Sequence, residues 1–308
     1  MKRGIRVRIL VVGGSGFVSG WLTRTALARG YEVWAITRGA RTLPEGVHAL
    51  VADRNDEDQL RQVLEKENTV FDAVLDCICF NAQQAEIDLR VFSDFAKHII
   101  VISTDSVYHP DCKKIMQDES VTGYMQDGGY GDLKRRMEEV FEADGGKRMA
   151  YTLFRPGHIY GAGSELGCFP EQSRQKDLLD VIRKGGKIRL VGGGKYLIHP
   201  IYAEDLVRVM LDCIGNEKTY NQIFCIGGAE IVENARYYEI LGEIVGKPVD
   251  IEEIPEEGYL QAHPQYSGHL CHRAYSMKKL AATGIRLPDT KLYDGLKKHA
   301  EALIAEGR

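Results

Sequence analysis

Two rhythms of apolar and polar residues alternate through the first half of the chain. Short, nearly continuous apolar runs lie at 7–12, 31–37, 47–52, 71–78 and 98–103. Between them, at 18–29, 56–67 and 85–96, apolar residues recur every three or four positions. The first rhythm predicts buried strands and the second amphipathic helices. Gly30 suits a left-handed cap that ends the first helix, and Asp56 suits the start of the second. A longer helix over 131–143 leads into a strand at 150–156. Buried strands alternating with helices imply a parallel sheet covered on both faces. After Pro156 the rhythm loosens into glycine-rich turns. A helix near 175–184, a strand–helix pair at 222–228 and 235–246, and a mixed tail from 249 are expected there. The chain divides into a sheet-forming part, 1–156, and a smaller lobe, 157–308, with some lobe segments returning to the sheet.

The first strand runs into Gly13-Gly14-Ser15-Gly16 and then a helix. A strand, a glycine turn and a helix aim backbone N–H groups at an anion. Gly13 permits the tight turn, and Gly16 lets a pyrophosphate approach the backbone. A third glycine would normally sit at 19. The chain has Ser19, small enough to meet most of that packing need. The second strand ends in Thr37-Arg38-Gly39, where such sites often place an acid that accepts from a ribose 2′-hydroxyl. An arginine there suits a 2′-phosphate, so the reading favours NADP over NAD, with NAD possible. Asp53, after the third strand, is placed to meet the adenine amino group.

Composition narrows the partners. Forty basic residues face 44 acidic ones, a net charge of -4, which gives no general attraction to nucleic acid or an anionic membrane. No run is long and apolar enough to span a bilayer, and no signal peptide is expected. Seven cysteines lack a paired ligand spacing; Cys77 and Cys79 read as core thiols, with no metal site expected. Reduced thiols point to a reducing compartment, here the cytoplasm.

Further along come "VISTDSVYH" at 101–109, Tyr130-x-x-x-Lys134, and Arg155-Pro156-Gly157. With the glycine loop, these resemble the extended short-chain dehydrogenase/reductases of the NAD(P)-dependent epimerase/dehydratase family. The order and separations match across most of the chain, and "HPIYAEDLV" at 199–207 resembles that family's segment ending in Asp-Leu. The Thr-Arg-Gly strand end also resembles an atypical branch that includes chloroplast stem-loop RNA-binding proteins. The resemblance implies a doubly wound α/β Rossmann fold with a smaller C-terminal substrate-binding lobe. It implies a catalytic set of Thr104, Tyr130 and Lys134. Four residues apart on a helix, Tyr130 and Lys134 share a face. A nearby ammonium would favour the phenolate and lower the tyrosine pKa. Lys134 is also expected to hold the nicotinamide ribose. Ser15, Phe17, Val18, Arg54 and Pro156 join the expected cofactor contacts, and Asp105, Ser106, His158, His199 and Arg273 are the expected substrate contacts. A homodimer through the helices at 85–96 and 131–143 is possible.

Two departures bear on the substrate. Dehydratases of this family often carry Thr-Asp-Glu at the catalytic strand end; here it is Thr104-Asp105-Ser106, without the glutamate base. Nucleotide-sugar epimerases tend to grip the diphosphate with an arginine after a glycine turn. Ile198 and His199 stand there, with Lys195 or Arg273 as substitutes. Epimerisation or ketone/alcohol redox of a sugar-like substrate is the expectation. A dehydratase, or an RNA-binding or cofactor-sensing protein, is the alternative.

Overall fold

The computed structural model describes residues 6–168 and 170–308. Six parallel strands form the first part: β1 (Arg8–Val12), β2 (Glu32–Thr37), β3 (Val47–Val51), β4 (Ala73–Asp76), β5 (His98–Ile102) and β6 (Ala150–Pro156). Helices α1 (Phe17–Ala28), α2 (Glu57–Glu67), α3 (Ala82–Phe92) and α4 (Tyr130–Asp144) alternate with them. Later come β7 (Ile159–Tyr160), α5 (Leu178–Arg183), β8 (Lys187–Val191), β9 (Leu197–Ile198), β10 (Ile201–Tyr202), α6 (Ala203–Asp212) and β11 (Gln222–Ile226). The chain closes with β12 (Val232–Glu233), α7 (Asn234–Val245), β13 (Asp250–Ile254), α8 (Glu256–Ala262), α9 (Lys278–Ala281) and α10 (Leu292–Ala305).

The main sheet has the order β11-β6-β5-β4-β1-β2-β3. It is a doubly wound Rossmann sheet. The strand order reverses between β1 and β4, so a crevice opens at their carboxyl ends. Alternation along β1 separates two cores. Leu10 and Val12 face one, with α2, α3 and α4; Ile9 and Val11 face the other, with α1 and α6. β11, more than 60 residues beyond β6 in sequence, pairs parallel with it, Phe224 opposite Phe154. A third core fills the lobe around Tyr160, Tyr237, Tyr238 and Leu296. Three two-stranded ladders, β7 with β10, β8 with β13 and β9 with β12, frame it.

Several boundaries move for local reasons. α3 starts earlier than the pattern implies because the Asn81 side chain accepts from the Gln84 N–H, a cap that the apolar rhythm does not reveal. β4 is shorter than the apolar run 71–78, because the Asp76 carboxylate accepts from the Ile78 N–H and turns the chain. Asp56 caps α2 through the Gln59 N–H, and Gly30 takes φ +78° after α1. All seven cysteines are free thiols. Among the described residues, no helix is long and apolar enough to cross a membrane.

Candidate functional site

The first half of the site is the glycine loop. Gly13 takes φ +118° and donates its N–H to the Ile36 carbonyl at 2.9 Å, so the loop is tied to β2. A side chain at Gly14 (φ +96°) would lie 2.8 Å from the Ala35 Cβ. Ser19 has a reason to be serine: its hydroxyl accepts from the Gly16 N–H at 3.0 Å. It also sits beneath Gly13, where a Cβ would come within 3.3 Å of it. From this loop a crevice of about 470 Å³ runs past Ser15 to Thr37, Arg38 and Asp53. Arg38 is exposed and has no ion-pair partner among the described residues. Arg41 lines the same crevice in the same condition. Sequence reasoning missed it, although its spacing of three from Arg38 was a usable signal.

Two expected cofactor contacts are engaged elsewhere. Arg54 is buried beneath the crevice. Its guanidinium donates to Asp76 at 2.8 Å, Asp88 at 2.7 Å and the Gln84 carbonyl at 3.2 Å. The Cys79 thiol joins the same cluster, its sulfur and the two carboxylates lying within 4.8 Å of one another. Burial pushes the Asp88 carboxyl well up, and the Asp76 charge adds to it. Arg54 therefore braces the crevice floor and is corrected to a structural role. The Asp53 carboxylate accepts from the backbone and side chain of Asn55, at 2.9 and 3.0 Å. It shapes its own turn while lining the crevice.

Thr104, just past β5, accepts from the Ser106 N–H through its hydroxyl at 3.2 Å. α4 opens on Tyr130 beside it. A side chain at Gly131 would collide with the Ser106 carbonyl oxygen, so the helix comes this close only because 131 is glycine. That approach sets Tyr130 on the same cleft wall as Thr104 and Ser106. The ring is 54% exposed, on the wall of an open cleft.

Lys134 lies one turn below Tyr130, only 1% exposed. Its ammonium donates to the carbonyls of Cys79 at 2.6 Å and Ile102 at 2.7 Å, under the Phe80 ring. The expectation that Lys134 lowers the Tyr130 pKa is corrected. Burial holds that pKa above its ordinary value and the Asp105 charge adds to it, while the Thr104 hydrogen bond and Arg174 pull it down. Lys134 is not among the groups acting on it.

The second half of the site is a cleft of about 440 Å³ between this strand end and the lobe. Phe17, Val18, Ser106 and Pro156 line it near Tyr130. Asp105 is fully buried at its side. Arg273 holds it with two bonds of 2.6 Å, and the Tyr275 hydroxyl donates to it as well. Burial alone would raise this carboxyl; the Arg273 charge and these donors hold it well below the carboxylate range. Asp105 and Arg273 thus bind each other, and their assignment as substrate contacts is corrected to a buried pair in the cleft wall. His199 is corrected too. Its Nε2 meets the Gly228 carbonyl at 2.9 Å and its Nδ1 accepts from the Tyr275 N–H at 3.3 Å, leaving neither nitrogen for a ligand. Lys195 is exposed and outside the cleft lining. His158 does line the cleft. Burial lowers its pKa to about 3, so the ring is neutral, and its Nε2 has no partner. Arg155 is a brace: it grips Glu138 at 2.9 and 2.6 Å and the Tyr108 hydroxyl at 2.6 Å. Arg174, also missed in the sequence, enters the cleft from the lobe.

Residues 9–227 match the family described as NAD dependent epimerase/dehydratase. A dTDP-4-dehydro-6-deoxy-D-allose reductase from Streptomyces sp is 26% identical over 281 residues, 78% of this chain and 82% of that protein. Chloroplast stem-loop binding protein of 41 kDa b from Arabidopsis thaliana is 25% identical over 240 residues. That match takes in 73% of this chain but only 60% of the relative's length. Among solved structures, a UDP-glucose 4-epimerase from Thermotoga maritima superposes with a TM-score of 0.79 at 19% identity, covering 98% of this chain and 100% of that one. A dTDP-glucose 4,6-dehydratase from Bacillus anthracis, in complex with NAD, gives 0.78 at 15% identity, covering 97% of each chain. These likenesses bear on the fold; the family match spans the glycine loop, Thr104, Tyr130 and Lys134 alike. The chain belongs to the NAD-dependent epimerase/dehydratase family.

Proposed function

We propose that the protein interconverts a hydroxyl and a ketone on a sugar-like substrate with NADP(H), as a reductase or an epimerase. The observation that carries this reading is that Tyr130 and Thr104 line one cleft, beside Phe17 and Val18 at the start of α1. The crevice fits a dinucleotide. Side chains at Gly13 and Gly14 would crowd Ser19 and Ala35, so the glycines let the loop pack tightly between α1 and β2 along the crevice. Arg38 and Arg41 are uncommitted cations at the ribose end, which favours the 2′-phosphate form. Gly13, Ser15, Gly16 and Thr37 would hold the rest, and the bound cofactor supplies or accepts the hydride.

The chain's own residues handle the proton. Thr104 donates a hydrogen bond to the reacting oxygen and orients it. Tyr130, a neutral phenol, gives that oxygen its proton as the ketone is reduced, and takes one back in the reverse direction. Asp105 is held ionised by Arg273 and cannot serve as the acid of a dehydration. Ser106, where a glutamate base would stand, cannot abstract a proton. Both observations favour redox or epimerisation over dehydration.

The test is to titrate the purified protein with NADPH and NADH, then to offer keto-sugars and follow reduced nicotinamide by absorbance. Tighter binding of NADPH, with its oxidation by at least one keto-sugar or scrambling of a hydroxyl's configuration, is the expected result. Binding of neither dinucleotide would overturn the reading.

A further inference from the structure

Among the described residues that line the cleft, one cation is uncommitted. Arg273 is locked to Asp105, Arg155 to Glu138, and Lys134 to two carbonyls. Arg174 has no side-chain partner among the described residues, and it lines the cleft. Tyr130 and His158 line the same cleft, and the Arg174 charge acts on both, lowering their pKa values.

The backbone goes to some length to place it there. Arg174 takes φ +51°, a left-handed conformation that costs a non-glycine residue energy. The turn behind it is tight. The Gln175 N–H donates to the Leu166 carbonyl at 2.8 Å, and a side chain at Gly167 would collide with the Gln172 carbonyl. The far wall has the opposite character. Val191, Ile198 and Leu270 line it, and Ile198 stands where a diphosphate-gripping arginine would be expected. His158, a neutral ring, lines the same cleft.

We infer that Arg174 clamps a single anionic group, a phosphate monoester or a carboxylate, on a small sugar or polyol that carries no nucleotide. The group seats on the guanidinium, the sugar packs along the His158 side of the cleft, and the reacting carbon's oxygen lies at Tyr130 and Thr104. This assignment rests on the redox reading of that same cleft. Arg273, the other cation in the lining, is already paired with Asp105 and leaves a nucleoside diphosphate no second free cation among the described residues.

The experiment measures binding by calorimetry, in the presence of NADP+, for sugar phosphates, sugar acids, their neutral parents and UDP-glucose. At least one phosphate or one acid should bind more tightly than its neutral parent and than UDP-glucose; which arm responds tells the phosphate from the carboxylate. Arg174→Gly suits the left-handed backbone, so it should melt no lower than the wild type. It should cut the preference for the anionic ligand over its neutral parent by about 10–150-fold. Arg174→Lys should restore part of it. In steady state the loss should appear mainly in KM. Tighter binding of UDP-glucose, no binding by any anionic member, or an unaltered preference in Arg174→Gly would each overturn the clamp. The redox reading fails separately. If Tyr130→Phe keeps full turnover while Arg174→Gly still loses the anion preference, the clamp stands and the mechanism falls.

Discussion

The two cavities of this protein are similar in size, about 470 and 440 Å³, and opposite in construction. The crevice at the glycine loop is made within the first half of the chain, by four segments between Gly13 and Gln84 that follow successive strands of the sheet. Its backbone groups and the exposed Arg38 and Arg41 stand open, and its buried ion pairs lie beneath it in the Arg54 cluster. The cleft at Tyr130 is made by residues from both halves of the chain, and most of its charges already hold one another. Asp105 and Arg273 are 168 residues apart and bonded twice. On the proposed reading, the first cavity would take a charged dinucleotide and the second a sugar-like substrate held by hydroxyls and, among the described residues, one free cation.

The strongest test of that contrast removes one oxygen from the second cavity. Tyr130→Phe keeps the ring and deletes the proton. Turnover should fall by about 10²–10⁴-fold, the usual weight of general acid–base catalysis. NADP+ affinity, held by the other cavity, should change little. A parallel loss of cofactor binding would show that the two cavities are not separable in this way.

The buried pair comes next. Arg273→Leu would strand the Asp105 charge in the cleft wall, and breaking a buried pair in this way typically costs about 3–5 kcal/mol. Chemical denaturation should show that loss near neutral pH. The pH dependence has a defined sign. Asp105 titrates below its ordinary value of 3.8 in the folded protein. Its contribution is therefore full above that value and is lost as pH falls through the depressed pKa. Asp105→Asn should be less stable at neutral pH and lack that acid limb. A wild type whose stability is flat to acid, or an Arg273→Leu variant as stable as the wild type, would break the account of the wall.

What could be read along the chain follows the same divide. The glycine turn, Ser19, the cap at Asp56 and the Arg38 strand end are local, because phosphate recognition uses consecutive backbone groups beside one strand–helix junction. Tyr130 and Lys134 share a helix face, which spacing reveals. Spacing does not reveal that the Lys134 ammonium turns to the carbonyls of Cys79 and Ile102, since those belong to other elements. His199 and Arg273 looked like free polar residues for the same reason; their partners lie 29 and 168 positions away. Arg174 gave no signal, because its place depends on a turn whose left-handed backbone no residue type announces.

A smaller effect sharpens the crevice side. Arg38→Ala should weaken NADP(H) by about 10–150-fold, the range for a lost charge-assisted contact. NAD(H) should change far less, having no 2′-phosphate. Arg41→Ala should act in the same direction. Both effects should shrink at high salt, because the two side chains are exposed. Equal loss for both dinucleotides would mean that these arginines stack or brace without reading the phosphate.

The smallest effect separates the loop's fold from its ligand. Ser19 stands at the packing position of the glycine motif, and its hydroxyl accepts from the Gly16 N–H at the start of α1. That bond serves the helix end, where an unpartnered donor has a known cost. Ser19→Ala keeps the Cβ beneath Gly13 and removes only the acceptor, so stability should fall by about 0.5–2 kcal/mol, the range for a lost helix cap. Ser19→Gly should lose the same bond and add the backbone cost of glycine within a helix, about 1 kcal/mol. In neither case is a cation lost from the crevice, so NADP(H) affinity should fall less than in Arg38→Ala. Thermal melts and cofactor titrations on the same preparations give both numbers. If Ser19→Ala leaves the melt unmoved but weakens the cofactor more than Arg38→Ala does, the hydroxyl serves the ligand directly. The crevice would then be as interlocked as the cleft, and the contrast between the two cavities would be lost.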